Sequence, residues 1–81
     1  METRVAVIGI IVQNTSSVEA LNGLLHEYRD CIIGRMGLPY RAKKMNILSI
    51  AVDAKNETIS ALSGKIGRLD GVSAKVAYAP V

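Results

Sequence analysis

Residues 4–13, RVAVIGIIVQ, are apolar on both of the alternating sets that a strand presents: Val5, Val7, Gly9 and Ile11 on one, Ala6, Ile8, Ile10 and Val12 on the other. Such a strand has to be covered on two faces, which places it inside a sheet and not at its rim. Residues 45–53, MNILSIAVD, have the same two-sided character. Any fold for this chain is therefore built around two central strands, and the question becomes what else it has to cover them with.

Two helical stripes are available. Val18, Leu21, Leu25 and Tyr28 recur at helical spacing, predicting a helix over residues 16–29. It follows the polar cluster Asn14, Thr15, Ser16 and Ser17, in which Ser16 and Glu19 have the spacing of a capping box. Ile59, Leu62, Ile66 and Leu69 mark a second helix, with Asn56 as its cap and Gly71 as its stop. Residues 31–38 read as a strand joined by a basic tip, 39–44, to the 45–53 strand. A last strand alternates Val72, Ala74, Val76 and Tyr78 with Ser73, Lys75 and Ala77 before Pro80.

The order βαββαβ predicts one α+β domain over residues 1–81: a ferredoxin-like sandwich whose four-stranded antiparallel sheet carries both helices on one face. Its first and third strands lie in the centre, where the two-sided runs belong. The other face is left apolar and uncovered. A chain of 81 residues buries only about 60–65% of its unfolded surface. A second copy is the expected cover, giving a homodimer or homotetramer through the open sheet face or the sheet edges.

Other sources of stability and chemistry are scarce. One cysteine, Cys31, closes no disulfide within the chain, and with one histidine, His26, it falls short of a zinc site; no cofactor is expected. The unpaired cysteine and the lack of a long apolar run or signal peptide predict a cytoplasmic protein without membrane contact. His26 reads as a surface residue and Cys31 as a small hydrophobe, so no enzyme is expected. A formal charge of +3, with no phenylalanine or tryptophan to stack on bases, argues against direct RNA or DNA binding.

Two segments suit a small anionic ligand or a partner protein. In the turn after the first strand, Asn14, Thr15 and Ser16 precede a helix whose free amides attract anions, although capping also accounts for them. The hairpin holds Arg35, Met36, Gly37, Tyr40 and Arg41, with two guanidinium groups and a phenol; protection of an edge strand also accounts for its charges. Lys65 lies between Gly64 and Gly67, two glycines that each cost a helix about 1 kcal/mol relative to alanine. Close packing of the helix on the sheet, or amides exposed to an anion, are the two readings.

The segments 32–41, IIGRMGLPYR, and 62–72, LSGKIGRLDGV, together with Asn22 and residues 25–28, resemble the signature stretches of the iron-only hydrogenase system regulator family. That family is similar in fold to ligand-binding domains of the ACT type and to the C-terminal domain of nickel-responsive repressors. The resemblance implies a small homo-oligomeric sensor and transcriptional regulator for iron-only hydrogenase systems. Lys75 and Ala77 stand where nickel ligands would lie in such repressors, and Gln13 to Ser16 replace the Asp-x-Pro-Gly turn of amino-acid-binding ACT domains. The alternative function is a structural or assembly partner without a small-molecule ligand.

Overall fold

The protein is described by a computed structural model covering residues 2–80. Its strands and helices follow in the order β1 (Arg4–Val12), α1 (Val18–Glu27), β2 (Ile32–Tyr40), β3 (Met45–Ala54), α2 (Asn56–Gly67) and β4 (Val72–Tyr78). Short 3₁₀ turns at Thr15–Ser17, Arg29–Cys31 and Arg41–Lys43 complete the connections. The sheet order is β2-β3-β1-β4 with every neighbouring pair antiparallel, so the two-sided runs form the centre and the ferredoxin-like expectation holds.

Register decides which side chains meet. Ala6, Ile8 and Ile10 face Val52, Ile50 and Leu48 across the β1–β3 ladder, and these six side chains point to the helices. Leu21 and Leu25 of α1, with Ile59, Leu62 and Ile66 of α2, close over them in one core. Ile8, Ile10, Ile50 and Ile66 have no measurable exposure. Full burial of such a side chain contributes about 1.5–3 kcal/mol, so this layer is the main source of stability. The alternate set of β1 has no cover: Val5 and Val7 remain 45% and 41% exposed.

The helix entries differ from expectation. Asn14 accepts from the Ser16 amide at 3.0 Å and the Ser16 hydroxyl at 2.7 Å, forming an Asx turn that takes the hydroxyl a capping box would need. The α-helix therefore starts only at Val18, after a 3₁₀ turn. Asn56 is the first residue of α2 and not its cap, which is the extended Lys55. On β2, Ile32 pairs with Val52 and Gly34 with Ala51, so Ile33 is the extra residue of a bulge and stands 65% exposed.

Two glycines show opposite constraints. Gly71 has φ +69°, and a Cβ there would lie 2.6 Å from Cβ of Asn14. At Gly64 a Cβ would meet only the Arg68 guanidinium, at 3.5 Å, and at Gly67 it would meet nothing within 4 Å. The close-packing reading of the α2 glycines therefore fails, and the fold gives no other reason for them. Gly71→Ala is expected to lower stability by about 2 kcal/mol or more, from left-handed strain plus the clash. Gly64→Ala is expected to raise it by about 0.5–1 kcal/mol. Urea denaturation of the two variants checks both signs.

Candidate functional site

The β1–α1 turn is bound tightly to the α2–β4 turn. The Gln13 amide donates to the Gly71 carbonyl at 2.7 Å, the Asn14 side-chain amide to the Asp70 carboxylate at 2.6 Å, and the buried Ser17 hydroxyl to the Asp70 carbonyl at 2.6 Å. Asn14 uses both ends of its side chain here, and Ser16 is turned onto Asn14. Thr15 is the member of the cluster that faces open space. It lines a shallow cleft of about 160 Å³ with Pro39, Tyr40, Arg41 and Lys44.

The two predicted segments thus meet at the end of the sheet. What brings Tyr40 and Arg41 back to the turn is the hairpin closure: residues 41–43 form a 3₁₀ turn, and Lys44 takes the left-handed conformation, φ 53°, to reverse the chain. The other hairpin residues diverge. Arg35 and Gly37 lie opposite Ile50 and Leu48, on the helix side, whereas Met36 lies opposite Ser49 on the open face, 66% exposed. Lys65 stands apart on α2, 3.6 Å from the Glu27 carboxylate and 5.1 Å from the Tyr28 ring centroid. Its interaction with Tyr28 and the nearby Glu27 carboxylate hold its ammonium above the ordinary lysine range.

A feature that the sequence reading passed over lies between α1 and the edge strand. Beyond Leu48 the helix no longer covers the sheet, and Gly37 offers no side chain to fill the gap, with nothing within 4 Å of where its Cβ would be. Two adjoining clefts result, of about 230 and 470 Å³, and both are lined by Asn22 and Arg35. The larger also takes in Leu25, His26, Arg29 and Ile32. A sequence signal existed for this groove: Asn22, His26 and Arg29 recur at spacings of 4 and 3, a polar stripe running beside the apolar one on α1.

His26 has Arg29 for a neighbour, with Nε2 3.3 Å from Nη1, while that same guanidinium nitrogen donates to the His26 carbonyl at 2.9 Å. Cys31 is half-buried at the start of β2 and its thiol donates to the Tyr28 carbonyl at 3.2 Å. Burial pushes that thiol above the ordinary cysteine range, its backbone hydrogen bond opposes the shift, and Asp30 adds to it. Among the described residues no three histidine, cysteine or acidic side chains converge as a metal site, and no helix is long and apolar enough to cross a membrane. Since the thiolate is the nucleophile, alkylation of Cys31 by iodoacetamide is expected to run several-fold slower than that of an unfolded cysteine peptide at pH 8, with the deficit narrowing as pH rises.

The geometry can be set beside known proteins. Residues 4–76 match a family model described as "TM1266-like: Iron-only hydrogenase system regulator, putative". A solved structure, "uncharacterized protein TM1266 from Thermotoga maritima", superposes with a TM-score of 0.93 at 34% sequence identity, covering 98% of this chain and 100% of that one. No curated protein matches the chain. With a family match along nearly its whole length and a full-length structural relative, the chain belongs to the TM1266-like family of iron-only hydrogenase system regulators.

Proposed function

We propose that the protein is a non-catalytic, cytoplasmic regulator of an iron-only hydrogenase system that works as a homo-oligomer through the open face of its sheet. The family supports the regulatory role. The observation that carries the mechanism is the composition of the uncovered face. By register it presents Val5, Val7, Met36, Leu38 and Ile47, with Ser49 and Lys75 flanking Gly9 at its middle.

Magnitudes favour a second copy. Four strands at about 4.8 Å spacing and nine residues at about 3.4 Å rise make a face of roughly 600 Å² in projection. A stable interface buries about 800 Å² of accessible surface per partner, so this face is of the right size for an isologous pair. A ligand or partner protein then engages the oligomer near the 13–17 turn and the 35–41 hairpin, with Thr15, Tyr40 and Arg41 the residues best placed for it. Influence on transcription runs through another protein, since the open face is mainly valine, methionine, leucine and isoleucine, with Lys75 and Tyr40 standing apart on it and no paired rings of the kind nucleic-acid readers stack on bases.

Native mass spectrometry tests this reading. A dimer or tetramer is expected at micromolar concentration for the unmodified protein, and a monomer for Leu38→Glu or Val7→Glu. Leu38 and Val7 are 55% and 41% exposed in a single copy, so a charge at either is solvated in the monomer and desolvated only across an interface. An unmodified protein that is monomeric overturns the proposal.

A further inference from the structure

We infer that the groove between α1 and the edge strand β2 binds a small amphiphilic carboxylate, its head held by Arg29 and Arg35 and its apolar body laid on the partly exposed Ile32 and Val18. The inference deepens the reading of the protein as a sensor. Because the groove is built within one copy, it stands separately from self-association.

The first ground is charge. Arg29 and Arg35 line one cleft, from the helix and the strand respectively, with the amide side chain of Asn22 and the ring of His26 beside them. No acidic residue lines either part of the groove. Lys65 with Glu27 is the one salt bridge among the described residues, so neither arginine has a carboxylate of this chain as its partner. Protection of an exposed edge accounts for a cation on β2, but it does not account for a second guanidinium brought to the same cleft from α1. A guanidinium presents a fork of N–H donors that matches a carboxylate, and two converging on one cleft favour an anion strongly.

Shape and polarity narrow the ligand further. The larger cleft, about 470 Å³, falls within the ordinary range of small-molecule sites, and the second, about 230 Å³, shares Asn22 and Arg35 with it and adds the partly exposed Val18. An inorganic anion would leave the partly exposed side chains of Ile32 and Val18 wet and unused. A neutral apolar molecule would make no use of Arg35, nor of the Arg29 donors that remain beyond its bond to the His26 carbonyl. A molecule with one anionic head and a short hydrocarbon body satisfies both ends.

Isothermal titration of the intact protein with octanoate, octanol, acetate and inorganic phosphate tests the inference. Octanoate is expected to bind saturably at one per chain, and the other three at least about tenfold more weakly, which is the scale of one lost charge-assisted pair or one unburied apolar body. Arg35→Ala and Arg29→Ala are each expected to weaken octanoate about tenfold or more, while Lys65→Ala, which removes a positive charge elsewhere on the surface, leaves it unchanged. Circular dichroism of each variant verifies that it is folded. Octanol binding as tightly as octanoate, acetate or phosphate matching it, an octanoate affinity unchanged from the unmodified protein in either arginine variant, or no saturable binding overturns the inference. Native mass spectra of the same samples report the oligomeric state, so a failed groove and a failed interface are told apart.

Discussion

The structure depends on one mismatch between supply and demand: a central strand that is apolar on both faces, and two helices that can cover only one. Everything on the covered side follows from the β1–β3 ladder, where nine consecutive residue pairs fix the register and deliver Ala6, Ile8, Ile10 and their partners to the helices together. A slip of one residue would send that whole set to the opposite face. The strongest local constraint in the chain therefore also settles where the two helices must lie, and it leaves the opposite face uncovered, with Val5 and Val7 exposed on it.

A second, polar constraint closes the fold at one end. The first crossover begins beside the point where the second one ends, and the two are joined there by Gln13, Asn14 and Ser17 on one side and Asp70 and Gly71 on the other. The left-handed turn at Gly71 brings the Asp70 carbonyl and carboxylate onto Ser17 and Asn14. The polar run after β1, which in isolation suits an anion-binding turn, is largely occupied in this way. Thr15 alone is left to look outward, toward the hairpin tip.

Most of the architecture was legible in the residues because side-chain period reports directly on faces: alternation in β4, two-sided runs in β1 and β3, and helical spacing in α1 and α2. The ends of the helices were less so. Ser16 could have capped α1, and Asn14 prevented it through an Asx turn, a competition between two short-range hydrogen bonds that spacing cannot rank. The meeting of Thr15 with Tyr40 and Arg41 was foreseen only as two separate segments, since nothing local records that a hairpin tip folds back on a turn 25 residues earlier in the chain. The groove is not legible residue by residue, because its lining comes from two elements far apart in the chain. His26 and Arg29 look like solvent-facing helix positions, and only the placement of α1 relative to the outermost strand turns them, with Arg35, into the wall of a cleft.

The bulge at Ile33 bears on how far assembly can go. β2 is an edge strand, and a straight edge offers an unbroken row of amides and carbonyls on which further chains can add without limit. The extra residue at Ile33 interrupts that row near one end, and Pro39, which has no amide hydrogen, interrupts it near the other. Only a short stretch between them keeps the regular spacing that strand addition requires. Growth by stacking edge upon edge, the route to fibres, meets two interruptions in the backbone of β2 itself.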